Sequence, residues 1–387
     1  MADVREKSPR LTVVGIGADG WSGLSAKACE AVLHAHVVLG APRQLAYLPS
    51  DVRTRAWPSP LLPALDEVLA EYEGHQVCVL ASGDPLLSGI ATTLRDRGYE
   101  IDVLPALSSE TLARARLGWS FEETEVVTVV GRAVDRVARA LAPNRKILVL
   151  GGSVTDLRAL LTERGYGKST LTTLENLAAE NERIADGWAH EPGPLTVFAL
   201  VCDGPRLPLI GLPDSAYEHD GQLTKRDLRV TALSRLAPSP GELLWDVGAG
   251  AGSIGIEWSR VHPRNRAVAI ERDPSRAERV TRNANTLGVP ELRVVTGAVP
   301  EVLAGLPRPD AVFIGGGLTV PGALEACLAT GARVVAHGVT LEAEQVLAAA
   351  YARHGGELHR ISVEQAKPLG GFTGWTPSRT VTQWSRE

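Results

Sequence analysis

The segment Leu243–Ser253 reads Leu-Leu-Trp-Asp-Val-Gly-Ala-Gly-Ala-Gly-Ser and has the composition of a ligand-binding turn. It leads from an apolar strand through three glycines into a helical pattern, and glycines let a backbone turn tightly and approach a ligand closely. Asp246 lies at the strand end, where a carboxylate suits an ammonium group better than a phosphate. Glu271 ends the next strand and can accept hydrogen bonds from ribose hydroxyls. The pattern predicts an S-adenosylmethionine (SAM) site whose contacts are Asp246, Gly248, Ala249, Gly250, Ala251, Gly252 and Glu271.

Two other interpretations of this turn stay open at this point: a dinucleotide-binding enzyme and a purely structural turn in another doubly wound fold.

The ends of two later strands add further candidate contacts to the SAM prediction. Gly297-Ala298 follows the third strand, where class I methyltransferases place a backbone contact to adenine, so Ala298 is a further candidate. Asp310–Ile314 leads into three glycines. They predict either a flexible loop or a close approach by a large flat ligand, with Gly316 and Gly317 as substrate contacts.

Alternating strand and helix patterns along the chain indicate an α/β protein with largely parallel sheets. The chain has 387 residues, and because a single core rarely grows beyond about 250–300 residues, two domains are expected. A stretch rich in proline, glycine and polar residues interrupts the pattern and reads as a linker. We predict an N-terminal domain over 1–204, a linker over 205–220 and a C-terminal domain over 221–387.

Composition narrows the function classes. The net charge of −5 argues against a dedicated nucleic-acid binder, since neutralising phosphates needs clustered Lys and Arg. No apolar run approaches the roughly 20 residues of a membrane span, and the charged start of the chain shows no signal peptide. A cytoplasmic location is expected. The four cysteines form no CxxC pair, and His34 and His36 have no partner cluster, so no metal site is predicted.

The C-terminal half resembles the CbiT-type methyltransferases of cobalamin (vitamin B12) biosynthesis, and the N-terminal half resembles the CbiE-type tetrapyrrole methylases. The C-terminal resemblance is carried by 221–227, 244–257, 309–317 and 339–342. The N-terminal resemblance is carried by Val14–Gly17, Ala81–Pro85, Pro105–Ser109, Leu174–Leu177 and Glu182–Ile184. The fused order is that of the precorrin-6Y C5,15-methyltransferases (decarboxylating, CobL type).

This resemblance implies a tetrapyrrole-methylase fold of two α/β subdomains, followed by a Rossmann-like class I SAM methyltransferase domain. It implies two SAM sites, and it adds Thr224 to the C-terminal one. At the N-terminal site it implies the contacts Gly15, Gly83, Asp84, Pro85 and Ser108. Two departures from the usual pattern occur: Ala18-Asp19-Gly20 stands where relatives have Pro-Gly-Asp, and Val130 stands where many have His. Arg132 remains a candidate contact for a substrate carboxylate.

The reaction implied is methylation of a precorrin-6Y-like tetrapyrrole at C5 and C15 with loss of CO2 from the C12 acetate. A substrate carbon is the nucleophile, so no protein nucleophile is required. The residues assign no decarboxylation group. Candidates for orienting carboxylates are Lys225, Arg226, His337, Lys367 and Arg379. Three alternatives stay open: methylation of another tetrapyrrole, methylation of nucleic acid, and a chain with one non-catalytic half. A homo-oligomer, dimer or tetramer, is expected by resemblance.

Overall fold

The computed structural model describes residues 9–387, so the charged start of the chain, in which no signal peptide was seen, lies outside the described residues. Contacts divide the chain into two units. The first extends to Val134 and resumes over Ala142–Pro205, and the second holds Asp135–Leu141 and Arg206–Glu387. Within the described range no helix combines the length and apolar character that crossing a membrane requires.

The first half of the first unit is a five-stranded parallel sheet in the order β3-β2-β4-β1-β5. Its strands are runs of apolar, often β-branched residues; Val13, Val14, Val38 and Val79 are fully buried, as expected where helices cover both faces of a sheet. The elements are β1 (Arg10–Ile16), α1 (Ala26–Leu33), β2 (Val37–Gly40), α2 (Pro42–Leu45), β3 (Thr54–Ala56), α3 (Leu61–Ala70), β4 (Gln76–Ser82), α4 (Ile90–Asp96) and β5 (Ile101–Leu104).

The second half of this unit is a five-stranded mixed sheet in the order β6-β7-β10-β8-β9. Only the β6–β7 pair is parallel, and β10 and β9 run antiparallel to their neighbours. The prediction of largely parallel sheets is therefore wrong here, because β8 and β9 are joined by a short turn rather than by a helical crossover. The elements are α5 (Ser109–Leu117), β6 (Thr124–Thr128), β7 (Lys146–Leu150), α6 (Val154–Glu163), β8 (Thr170–Glu175), β9 (Arg183–Asp186) and β10 (Thr196–Val201).

The second unit contains a seven-stranded sheet in the order β13-β12-β11-β14-β15-β19-β16, with β19 antiparallel to both neighbours. The order reverses between β11 and β14, and in such sheets ligands bind at the carboxyl ends of the strands beside this point. The elements are α7 (Arg226–Leu236), β11 (Leu243–Val247), α8 (Ser253–Val261), β12 (Arg266–Glu271), α9 (Pro274–Thr286), β13 (Arg293–Thr296), β14 (Ala311–Ile314), α10 (Ala323–Leu328), β15 (Arg333–Gly338), α11 (Leu341–His354), β16 (Glu357–Ile361), β17 (Glu364–Leu369), β18 (Phe372–Pro377) and β19 (Val381–Arg386).

The stretch predicted to be a linker over 205–220 is packed into the second unit. Leu212 is fully buried and Tyr217 is 4% exposed, and both belong to the core that α7 and α8 form with the sheet. Proline and glycine here therefore shape an ordered segment rather than a free connection. The sequence pattern did not indicate this packing, because the apolar residues of the segment are few and only some of them are buried; Leu209 and Ile210 are 47% and 37% exposed.

Candidate functional site

The glycine-rich turn after β11 has a backbone that only glycine adopts easily. Gly248, Gly250 and Gly252 have φ values of +68°, +60° and +76°, in the left-handed region where a Cβ atom is strained. A Cβ on Gly248 would lie 2.5 Å from the Cα of Gly316, which follows β14. The turns after two adjacent strands therefore meet backbone to backbone, which places the predicted cofactor contact Gly248 beside the predicted substrate contact Gly316.

Asp246 lies on β11 directly beneath this turn and is 1% exposed. Its Oδ2 accepts a hydrogen bond of 2.9 Å from the backbone N–H of Gly255, in the first turn of α8. Burial raises the pKa of the Asp246 carboxyl to about 7; the Gly255 hydrogen bond opposes this rise, and the negative charge of Glu271 adds to it. A cationic ligand group would favour the ionised form.

Glu271 ends β12 and holds the same turn from the other side. Its Oε2 accepts from the backbone N–H of Gly250 at 2.9 Å, and its Oε1 accepts from Asp273 N at 3.1 Å. Asp273 itself caps α9 through the N–H groups of Ser275 and Arg276, so its carboxylate has a structural role. Two carboxylates thus flank a turn that has no side chain beyond Cβ, an arrangement suited to a ligand with an ammonium group and ribose hydroxyls rather than a pyrophosphate.

Two more predicted contacts, Thr224 and Ala298, belong to segments near the carboxyl ends of these strands. A Cβ on Gly250 would lie 3.0 Å from the carbonyl oxygen of Gln222, so the segment containing Thr224 passes over the turn. Ala298 is exposed and follows β13; Gly297 before it donates its N–H to Glu271 O at 3.0 Å. Gly317, with φ of +78°, continues the glycine run after β14. Asn283 is not among the predicted contacts, yet its Nδ2 donates to Ala251 O in the turn at 2.9 Å.

The candidates for orienting carboxylates do not form one cluster. The Lys225 Nζ lies 3.6 Å from Asp214 Oδ2, and Arg379 is exposed in the loop before β19. His337 on β15 is 9% exposed, packs edge-on against Phe313 with ring centroids 5.0 Å apart, and bonds Gln383 Oε1 at 2.9 Å. Burial lowers the pKa of His337, which favours a neutral ring with a packing role. Lys367 is exposed on β17 and Arg226 begins α7.

The first unit brings its predicted residues together at the ends of β1, β4 and β5. A Cβ on Gly15 would lie 2.0 Å from Gly83 O, and one on Gly83 would lie 3.2 Å from the Cα of Ser108. Gly83 has φ of +60°, and Asp84 Oδ1 accepts from Leu86 N at 2.8 Å, which fixes the turn around Pro85. Ser108 is 7% exposed and caps α5 through Thr111 N.

Arg132 occupies an exposed turn after β6, in the mixed sheet. The geometry therefore groups three strand-end segments of the parallel sheet into one cradle and places Arg132 on a separate turn. This cradle, like the turn after β11, is built from glycine backbones in close contact. The N-terminus of α5, capped by Ser108, lies beside it.

Two methyltransferase architectures in one chain are thus defined by fold and site: a tetrapyrrole-methylase domain and a class I SAM-dependent methyltransferase domain. Residues 10–191 match the family model described as "Tetrapyrrole (Corrin/Porphyrin) Methylases", and residues 215–387 match "Precorrin methyltransferase domain". A Sinorhizobium enzyme named "Precorrin-6Y C(5,15)-methyltransferase [decarboxylating]" is 45% identical over 100% of this chain and 99% of its own length. The chain belongs to the family of decarboxylating precorrin-6Y C5,15-methyltransferases.

A second relative and a solved structure carry the name precorrin-6Y C5,15-methyltransferase. A Mycobacterium tuberculosis H37Rv protein of the same name is 44% identical, covering 97% of this chain and 99% of its own length. Among solved structures, the C-terminal domain of precorrin-6Y C5,15-methyltransferase from Rhodobacter capsulatus is 45% identical, covers 46% of this chain and 98% of its own, and has a TM-score of 0.44.

Proposed function

We propose that this chain methylates precorrin-6Y at C5 and C15 with SAM and removes CO2 from the C12 acetate, a step of cobalamin biosynthesis. The observation that carries the proposal is the full-length relationship to enzymes named for that reaction. The two glycine cradles, one in each unit, support the use of two SAM molecules at separate sites.

The two activities are assigned to the two units. The N-terminal unit would methylate C5, and the C-terminal unit would methylate C15 and decarboxylate. Separate relatives support this division, because a Pyrobaculum calidifontis protein carries the name "Probable cobalt-precorrin-6B C(15)-methyltransferase (decarboxylating)" and a Salmonella typhimurium protein is named "Cobalt-precorrin-7 C(5)-methyltransferase". Each covers less than half of this chain, at 44% and 45%.

SAM supplies a methyl group on a positively charged sulfur, which an electron-rich substrate carbon can attack. In the C-terminal unit, Asp246 would bind the ammonium group, Glu271 the ribose hydroxyls and Ala298 the adenine. The glycines of the turn admit the ligand to the backbone, and the segment around Thr224 covers it and excludes water. Orientation and water exclusion are the contributions that this reaction needs from the protein. For decarboxylation, the conjugated ring of the substrate accepts the electron pair of the broken C–C bond.

The experiment is a single-pot assay with purified chain, precorrin-6Y and SAM, analysed by mass spectrometry. The product should gain two methyl groups and lose CO2, with two S-adenosylhomocysteine molecules formed per product. Gly250→Arg should abolish only the C15 methylation and the decarboxylation. A product with one methyl group from the unaltered chain would favour a non-catalytic half instead, and an unchanged substrate would refute the proposal.

We also propose that the chain self-associates through β17 and β18, which pair antiparallel as a separate two-stranded hairpin, here termed the hairpin β17–β18. Three large apolar side chains of this hairpin are exposed: Leu369 at 69%, Phe372 at 84% and Trp375 at 72%. Three large apolar side chains exposed to this degree on one hairpin are unusual on the surface of a monomer. A homo-oligomer would bury them.

A further inference from the structure

The segment Gly211–Thr224, here termed the strap, is fixed to the second unit by two charged side chains that direct their hydrogen bonds to it. Beneath it lie Arg229 of α7 and Glu257 of α8, here termed the clamp pair. Both are fully buried, and Arg229 Nε donates to Glu257 Oε1 at 2.6 Å. A buried ion pair is poor evidence for stability, because apolar side chains of similar volume often serve as well. The other hydrogen bonds of the clamp pair show that these two side chains hold the strap.

Glu257 binds the first part of the strap. Its Oε2 accepts from the backbone N–H of Gly211 at 2.6 Å, and its Oε1 accepts from Leu212 N at 3.0 Å and from the Tyr217 hydroxyl at 2.9 Å. Burial raises the pKa of Tyr217 well above its usual value, and the negative charge of Glu257 raises it further. The Tyr217 hydroxyl therefore stays protonated and keeps donating to the carboxylate.

Arg229 binds both ends of the strap. Its guanidinium donates to the carbonyl oxygen of Leu212, to Thr224 O at 2.6 Å and to Asp214 Oδ1 at 3.3 Å. One rigid cation thus sets the spacing between Leu212 and Thr224. Because Gln222 lies between these points, the same contacts also determine where the Gln222 carbonyl lies above Gly250.

Asn283 on α9 ties the strap to the turn directly. Its Oδ1 accepts from Glu218 N and its Nδ2 donates to Glu218 O, each at 2.9 Å, while Nδ2 also donates to Ala251 O at 2.9 Å. Asn283 is 3% exposed. On the outer face, Arg282 pairs with Glu218, and Arg276 and Arg279 pair with Asp220.

We infer that Arg229, Glu257 and Asn283 are positioning residues of the C-terminal cofactor site. They hold the strap over the glycine-rich turn before SAM arrives, so that the ordering of the strap is not a cost of binding. This inference rests on the proposed function of that turn. It predicts that loosening the strap weakens SAM binding at this site alone, and raises KM for SAM far more than it lowers kcat at saturating SAM.

The test uses the full chain and titration with S-adenosylhomocysteine. The double variant Arg229→Met/Glu257→Gln removes both buried charges together, so that neither charge is left unpaired. Its C-terminal site should bind roughly ten- to a hundredfold more weakly, given the hydrogen bonds to charged groups that are lost, and its N-terminal site should bind as before. Asn283→Ala should show the same selective loss without any change of charge.

The matched control is Arg333→Met/Glu242→Gln, which removes a bidentate ion pair at the amino ends of β11 and β15, whereas the glycine-rich turn follows the carboxyl end of β11. Both sites of this control should keep their affinity. Unaltered affinity in the clamp double variant and in Asn283→Ala would overturn the inference, as would a loss that merely follows thermal stability across all three variants.

Two further measurements keep the inference testable where a variant fails to fold. In the unaltered chain, hydrogen exchange of the strap amides should already be slow without ligand; fast exchange that slows only on adding S-adenosylhomocysteine would contradict a preset strap. Gly250→Arg, titrated in parallel, should lose one site. If it binds as the unaltered chain does, the proposed cofactor site is wrong, which is a different result from failure of the clamp.

Discussion

Gly248 and Gly316 lie so close that a methyl carbon on Gly248 would be 2.5 Å from the Cα of Gly316. Neither backbone can move away freely, because Gly248 follows β11 and Gly316 follows β14, and these strands are paired. The backbone at the start of the glycine-rich turn is therefore held in place by the pairing of β11 with β14. This close contact requires that Gly248 has no side chain, whereas a Cβ on Gly316 would lie 3.4 Å from the Cα of Gly248.

The first prediction follows from this contact. Gly248→Ala should abolish SAM binding at the C-terminal site, because the new Cβ meets backbone atoms and the residue has a positive φ. Titration with S-adenosylhomocysteine should then show one site instead of two. Gly305→Ala is the control, since a Cβ there meets nothing within 4 Å. Two sites in Gly248→Ala would show that the turn is not the cofactor cradle.

The second prediction concerns Asp246 and pH. Its pKa of about 7 means that much of the carboxyl is protonated below neutrality in the free protein. Because a cationic ligand needs the ionised form, affinity at the C-terminal site should fall by about tenfold for each pH unit below 7. Titrations between pH 5 and 8 test this. An affinity that is flat over this range would exclude Asp246 as the partner of the ammonium group.

The second prediction has a stability counterpart of fixed sign at the same group. Between its ordinary pKa of 3.8 and about 7, Asp246 binds more protons in the folded than in the unfolded state, so its contribution to stability falls as pH rises through this window. Asp246→Asn keeps an acceptor for Gly255 N and removes the buried charge. At pH 8 it should therefore unfold with a free energy higher by up to about 4 kcal/mol, and the difference should shrink towards pH 4. Denaturant unfolding of the full chain at both pH values measures it.

The local parts of the site were predictable from sequence, and the long-range parts were not. Gly248, Gly250 and Glu271 lie at strand ends that apolar runs reveal, and a turn between a strand and a helix needs no distant partner to be recognised. Arg229 and Glu257 are separated by 28 positions on two helices, where each looks like an ordinary surface charge. Only the packing of α7 against α8 buries them and directs both towards the strap.

A similar limit applies to the sheets. The α/β character of the first unit follows from its alternating strand and helix patterns, yet the directions of β9 and β10 were missed, since an apolar run has the same pattern in either direction. The hairpin β17–β18 was missed because its residues are exposed along β17 and show no buried face. The prediction of a linker over 205–220 rests on proline, glycine and polar residues, which conceal the few apolar residues of this stretch that are buried, such as Leu212 and Tyr217.

The third prediction addresses the cradle of the first unit. Gly15→Ala should abolish the N-terminal SAM site and the C5 methylation, because its Cβ would lie 2.0 Å from Gly83 O and 2.6 Å from Ala106 N. The C15 methylation and the decarboxylation should persist. Gly167→Ala, where the nearest atom is at 3.5 Å, is the matched control. Retention of both methylations in Gly15→Ala would place the C5 chemistry elsewhere.

The fourth prediction concerns the exposed hairpin. Phe372→Glu should lower the molar mass measured by light scattering, because a buried, unpaired carboxylate is costly at an apolar interface. Leu62→Glu, at a residue that is 53% exposed in the first unit, should leave the mass unchanged. Equal masses for Phe372→Glu and the unaltered chain would mean that the hairpin does not mediate association.

The last prediction concerns the start of the second unit. A fragment of residues 206–387 retains Leu212 and Tyr217, which are core residues, and the backbone N–H groups that bind Glu257. A fragment of residues 221–387 lacks them and leaves Glu257 and Arg229 without most of their partners, a burial that costs several kcal/mol. The longer fragment should therefore unfold cooperatively on heating, followed by circular dichroism, whereas the shorter one should aggregate or melt without a transition. Cooperative unfolding of both at the same temperature would mean that the strap is dispensable for the fold and that the unit begins near Gly221.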